Sequence, residues 1–327
     1  MTVSLMLPSP LYIAGAILFG IVGYVGAGLC GFGYVRYVSW TFGVYLALVP
    51  VVVFLALQWL RRELTPARLA HPDASDVVLP TPQHLRIPTQ NQRTLFAQWL
   101  PQTPLKQTLG TVVLMHGWGG NGSQLMPAAR ELHAQGWRVL LPDARCHGLS
   151  DADTFSSLPR FAEDIDAALN WLLAHEATSQ HRLVVLGHSV GAAAAILCAS
   201  RRTDVSAVVS VSAFAHPEQV MQRWLAQYRI PFWPVGWLVN RYVEHVIGHR
   251  FNDIAPVSRI GLIGCPVLLV HGNRDKVVPL DCALRLRDAG AHATLLEVAG
   301  SHDSFDTPEI LYQQVSQWLC DTRDNAV

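Results

Sequence analysis

The chain carries little charge for its length. Only 15% of its 327 residues are Asp, Glu, Lys or Arg, and 24 basic residues balance 24 acidic ones. A balanced charge offers no clustered basic face, so nucleic acid is not an expected partner. Cysteine is scarce and scattered: Cys30, Cys146, Cys198, Cys265, Cys282 and Cys320 show neither C-x-x-C nor Cys/His ligand spacing. That argues against a metal site and against a disulfide scaffold, and it fits free thiols in a reducing compartment. Charge is missing altogether from Leu11 to Leu29 and from Val38 to Leu60. Those two stretches concentrate the excess in a chain that is 50% hydrophobic, and the remainder has an ordinary globular composition.

Each uncharged stretch is long enough to cross a bilayer as a helix, which takes about 20 apolar residues. The short link Cys30 to Tyr37 between them predicts an antiparallel hairpin. Residues 1–10 lack Lys and Arg and the link has only Arg36, whereas Arg61, Arg62 and Arg68 follow the second stretch. By the positive-inside rule the large domain faces the cytoplasm, which places the protein in the inner (plasma) membrane. A secretory signal peptide fits poorly, because no basic region precedes a hydrophobic stretch of this length. Ala16, Gly20, Gly23, Ala27 and Gly31 form a small-residue face for close helix packing, read here as packing against the second span. Tyr37, Trp40 and Trp59 suit interfacial anchoring.

The expected organisation is a membrane anchor over 1–62, a Pro-rich linker over 63–82, a globular domain over 83–320 and a tail over 321–327. His84–Pro88 and Thr94–Leu100 read as an antiparallel hairpin turning near Asn91. Strands then alternate with helices: Thr111–Met115, helix 124–135, Arg138–Asp143, helix 161–176, Leu183–His188, a helix from Ala192, and Ala207–Ser212. After an interruption come strand Val267–His271, helix 280–289, strand Ala293–Val298 and helix 308–320. This pattern predicts an α/β fold whose mostly parallel sheet has helices on both faces and its sites at the carboxyl ends of the strands. The interruption, about 214–258, carries Trp224, Tyr228, Phe232, Trp233, Trp237 and Tyr242 with Pro231 and Pro234. It is read as a short helical lid, although any one of these aromatics could merely pack the insertion in place.

Gly187-His188-Ser189-Val190-Gly191 lies between the apolar run Leu183–Leu186 and an alanine-rich helix. A serine at the tip of a sharp strand-to-helix turn crowds the positions two before and two after it, and both are glycine here. With this elbow, the chain resembles the α/β-hydrolase superfamily over about 83–320, and most nearly its lysophospholipase and serine-aminopeptidase-like group. The resemblance implies Ser189 as nucleophile, Asp275 after the strand ending at His271 as the acid, and His302 as the base, in the family's chain order. It implies the backbone amides of Trp118, in His116-Gly117-Trp118-Gly119-Gly120, and of Val190 as oxyanion donors. It also makes Arg145 and His147 architectural, and puts Cys146 where many relatives have glycine.

Such a triad works through an acyl-enzyme and needs no metal or other cofactor. The expected activity is hydrolysis of a carboxylic ester or thioester, of a small-molecule or lipid substrate with an apolar acyl group, by an enzyme held at the lipid bilayer. An amide or peptide hydrolase of the same fold, and a non-catalytic membrane scaffold, are the alternatives. Oligomeric state is not legible.

Overall fold

In the computed structural model, residues 35–72, 81–102, 108–175 and 182–324 are described. The chain divides into two compact units, one of Met1–Thr65 with Met221–Arg241 and the other of Pro66–Val220 with Tyr242–Val327.

In the first unit the helix α1, Val35–Glu63, contains Pro50 and ends on Arg61 and Arg62. Its part Gly43–Glu63 is long and apolar enough to cross a membrane by length and composition. Val44, Leu46, Leu48, Val51, Val53, Phe54 and Leu55 are exposed along it, which in water would be a large cost. The helix includes Val35-Arg36-Tyr37, ahead of the predicted Val38. The other predicted span, Leu11–Leu29, lies outside the described residues. Trp59 stacks on Trp224 with ring centroids 5.4 Å apart and meets Tyr228 edge-on at 5.7 Å. The middle of the predicted insertion therefore groups with the apolar helix, because its aromatic rings find their partners there.

The second unit is built on an eight-stranded sheet. Its strands are β1 Gln83–Thr89, β2 Arg93–Leu100, β3 Gly110–Met115, β4 Trp137–Pro142, β5 Leu183–His188, β6 Ala207–Val211, β7 Val267–Gly272 and β8 Ala293–Val298. They lie in the order β1-β2-β4-β3-β5-β6-β7-β8. The pairs β1–β2 and β2–β4 are antiparallel and the rest parallel. Every residue of β3, β4, β6 and β7 is buried, as expected of strands covered on both faces. On one face Val112, Leu114, Val139, Leu141, Val184 and Leu186 pack with α2, Met126–Ala134, and with the C-terminal helix Pro308–Asp324. Trp137, fully buried, donates its indole N–H to Ser316 Oγ of that helix at 3.0 Å. The other face is covered by α3, Leu158–His175, and α4, Val190–Ala199, which pack on each other.

Several boundaries move from their predicted places. α3 starts at Leu158 rather than Phe161, because proline is tolerated in a first helical turn and Pro159 opens this one. A short 3₁₀ segment, Gly122–Leu125, leads into α2, with the Asn121 side chain accepting from Ser123 N–H. The C-terminal helix runs through the first residues of the expected tail to Asp324.

The expected linker also departs from a free tether, since residues 68–71 are strapped to the second unit. Arg68 donates to the carbonyls of Gly148 and Ser150 at 3.0 and 2.8 Å, and Asn121 donates to the Leu69 carbonyl at 2.9 Å. His71 Nε2 sits 2.7 Å from Asp143 Oδ2.

One buried ion pair ties the loop after β4 to α3. Arg145, with no exposed side-chain surface, gives Asp164 its Nε–H at 2.7 Å and its backbone N–H at 2.8 Å, while Thr89 adds a hydroxyl at 2.9 Å. Removing one partner leaves the other charge buried without its counter-charge, a loss of about 3–5 kcal/mol. Arg145→Met is accordingly expected to lower the unfolding midpoint of the detergent-solubilised chain sharply, and the double variant Arg145→Met/Asp164→Leu to recover much of that loss.

Candidate active site

At the end of β5 the chain turns through Ser189 into α4. Ser189 has φ 54° and ψ −117°, a strained conformation for a residue with a side chain. The turn is tight enough that a Cβ on Gly187 would lie 2.2 Å from the Gly191 carbonyl oxygen. A Cβ on Gly191 would lie 2.4 Å from the carbonyl oxygens of both Met115 and His116. Both glycines are thus demanded by close approach of backbone. The Ser189 amide is held by the Val211 carbonyl at 2.9 Å, so the neighbouring strand end fixes the turn.

The three residues predicted to act together are brought together. His302 Nε2 lies 3.0 Å from Ser189 Oγ, and His302 Nδ1 lies 2.8 Å from Asp275 Oδ2. Asp275 follows β7, its carboxylate fully shielded, and its Oδ1 accepts the amides of Val277 and Val278 at 2.8 and 2.7 Å. His302 follows β8 in a turn closed by the Gly300–Phe305 bridge and by Ser301 N–H to the Ser304 carbonyl at 2.7 Å. The two loops bind each other, with Arg274 N–H donating to the Gly300 carbonyl at 2.9 Å. Parallel pairing of β7 with β8, with His271 opposite Glu297, puts both loops at the same sheet edge.

His188 has a part that the motif alone does not reveal. Its Nε2–H donates to the backbone carbonyl of His302 at 2.8 Å, so the residue beside the serine positions the histidine loop. Burial lowers the His188 pKa, which keeps the ring neutral for this bond. Among the described residues one group offers clustered metal-ligand atoms, namely His188, His302 and Asp303, all within 4.8 Å of one another. The imidazoles are already engaged with Ser189, Asp275 and the His302 carbonyl, so this is a hydrogen-bonded set rather than an open ligand set.

The turn after β3 abuts the serine: a Cβ on Gly117 would lie 3.3 Å from Ser189 Cβ. Trp118 is half-exposed and packs over Phe161 and His147. Val190 opens α4, where the first amides of a helix have no intrahelical acceptor. Behind this turn His116 is buried, with Nδ1–H donating to the Gly117 carbonyl at 2.7 Å and Nε2 accepting the Ala144 amide at 3.0 Å. Both bonds suit a neutral ring, and burial lowers its pKa.

The loop after β4 explains a departure noted in the sequence. Cys146 has φ 67°, the left-handed region that glycine occupies freely, and its Sγ accepts the Asp153 amide at 3.2 Å. His147 next to it is buried, donates Nδ1–H to the Arg145 carbonyl at 2.9 Å, and leaves Nε2 with no partner.

The comparisons with known proteins agree with this architecture. Residues 106–259 match the family described as serine aminopeptidase, S33. The chain is 26% identical over 225 residues to the uncharacterised protein YqkD of Bacillus subtilis, covering 67% of this chain and 73% of the relative. It is 26% identical over 264 residues to a monoacylglycerol lipase of Mycolicibacterium smegmatis, covering 69% and 92%. The solved structure of the Pyrococcus furiosus esterase Pf2001 superposes with a TM-score of 0.64 at 21% identity, covering 79% of this chain and 97% of that one.

Two outcomes follow from the local geometry. Gly191→Ala is expected to prevent correct folding of the elbow, read as aggregation or a large fall in the unfolding midpoint, since the obstructing atoms are backbone. Burial pushes His147 down to about 3, against about 6.5 when unfolded, so between these values the unfolded chain takes up a proton that the folded chain refuses. Stability from this group is complete above about pH 6.5 and falls toward pH 3, by at most about 1.4 kcal/mol per pH unit. His147→Gln should therefore flatten the fall in unfolding midpoint between pH 7 and pH 5, whatever its effect at neutral pH.

The sheet order, the strained serine turn and the superposition on a known esterase together establish that this chain has the α/β-hydrolase fold.

Proposed function

We propose that the protein is a membrane-anchored serine hydrolase that cleaves a carboxylic ester or thioester with an apolar acyl group. The observation that carries this reading is the continuous line Ser189 Oγ, His302 and Asp275, at 3.0 and 2.8 Å, with the serine held at the tip of a strained turn. In the proposed reaction His302 Nε2 takes the Ser189 proton as Oγ attacks the acyl carbon. Asp275 holds Nδ1–H and stabilises the imidazolium, and the amides of Trp118 and Val190 receive the oxyanion. His302 then returns the proton to the leaving group. Water, activated by the same histidine, hydrolyses the acyl-enzyme.

The membrane part of the reading is supported by the exposed apolar surface of α1 and by Arg61 and Arg62 at its end, with the catalytic unit on the cytoplasmic side. The similarity to a monoacylglycerol lipase supports an apolar acyl group.

An amide hydrolase is the second reading, because the matched family is described as a serine aminopeptidase. Recognition of a substrate amine needs a free carboxylate. Glu244, one of three acids in the predicted insertion, is already occupied by the Phe251 amide at 2.8 Å and the Arg250 guanidinium at 3.2 Å. Turnover of p-nitrophenyl acyl esters of increasing chain length, set beside aminoacyl anilides, separates the two. Ester turnover that rises with acyl length and is lost in Ser189→Ala is expected; preferred turnover of the anilides would select the amide reading.

A further inference from the structure

We propose that Met221–Arg241 is a second membrane contact, an interfacial element that inserts its aromatic tip into an anionic phospholipid surface beside the end of α1. This inference rests on the membrane reading of α1.

The twenty-one residues of this segment contain Arg223, Arg229 and Arg241 and no Asp or Glu, in a chain whose charges balance overall. Five of them are aromatic: Trp224, Tyr228, Phe232, Trp233 and Trp237. The segment has two distinct faces. Leu225, Ile230 and Val239 are buried, and Gly236 packs so closely that a Cβ there would meet Leu225 Cδ1 at 2.9 Å. On the other face Trp233 is 71% exposed, Leu238 57% and Trp237 42%, with the two indoles 5.8 Å apart. Three adjacent large apolar side chains left in water form the kind of patch that marks an interaction surface.

The occupant is indicated by what the segment is fastened to. Trp224 and Tyr228 close around Trp59, one turn before the end of α1, where Arg61 and Arg62 follow. Tryptophan with arginine just beyond it marks the headgroup level of a spanning helix. The Trp224–Tyr228 end of the segment is thereby held at that level. An amphipathic piece with Trp and Leu on one face and arginines around it suits the headgroup–acyl boundary of a bilayer. The net positive charge of the segment also gains from the negative surface potential of anionic lipids on the cytoplasmic leaflet.

The test places p-benzoylphenylalanine in the full-length chain at Trp233, at Phe54 in the middle of α1, or at exposed Asp288. Each protein is reconstituted into vesicles of equal parts phosphatidylglycerol and phosphatidylcholine and irradiated, and adducts are identified by mass. Lipid adducts at positions 54 and 233 and background at 288 are expected, with Trp237 repeating the result for 233. Adducts at 54 with background at 233 and 237 would overturn the inference and leave the membrane reading of α1 intact. Cross-linking at 233 to a second copy of the chain instead of lipid would also overturn it. Background at both 54 and 233 would remove the membrane reading as well as this one.

Discussion

The structure of the site depends on one steric constraint, the collision of backbone with backbone around Ser189. Gly187 and Gly191 touch across the turn with no room for a methyl group, and Gly191 is pressed at the same time against the carbonyls at the end of β3. Only under that compression does a serine hold φ 54° and present its hydroxyl clear of the sheet edge. The fully buried, alanine-rich α4 follows from the same constraint, because a helix leaving so tight a turn lies too near the sheet for large side chains.

Parallel pairing then does the rest. β7 and β8 run beside each other in register, so the loop carrying Asp275 and the loop carrying His302 emerge at one edge and bind each other through backbone. His188 adds a bond from the elbow to the histidine loop. The three residues are thus held by a closed set of backbone contacts rather than by their side-chain bonds alone, which is the kind of preorganisation that electrostatic catalysis requires. Burial lowers the pKa of His188, which contacts the His302 loop, and of His116 and His147, which pack on each other behind the turn after β3.

Much of this was legible in the sequence because it is local. The elbow is five residues with a steric reason for each glycine, the strands are apolar runs between turns, and Asp275 and His302, which follow strand ends, are picked out by the chain order that the family resemblance implies. What escaped was long-range or hidden by composition. The grouping of Trp224 and Tyr228 with Trp59 leaves no periodic trace, and the insertion therefore read as one lid when its middle belongs with α1. Pro66 and Pro72 made residues 63–82 look like a plain tether, masking the strap formed by Arg68 and His71. The apolar face that marks α3 begins at Phe161, so the first turn, Leu158 to Arg160, carries no such signal. The positive φ of Cys146 could be suspected only from a cysteine standing where relatives have glycine.

The central claim is that Ser189 is an activated nucleophile. It is tested most directly by treating the full-length protein in membranes with a fluorophosphonate and mapping the phosphonylated residue by peptide mass spectrometry. A single adduct on Ser189, in the peptide that spans β5 and α4, is the predicted result. An adduct on a different residue, or none on protein whose unfolding transition shows it to be folded, would contradict the account.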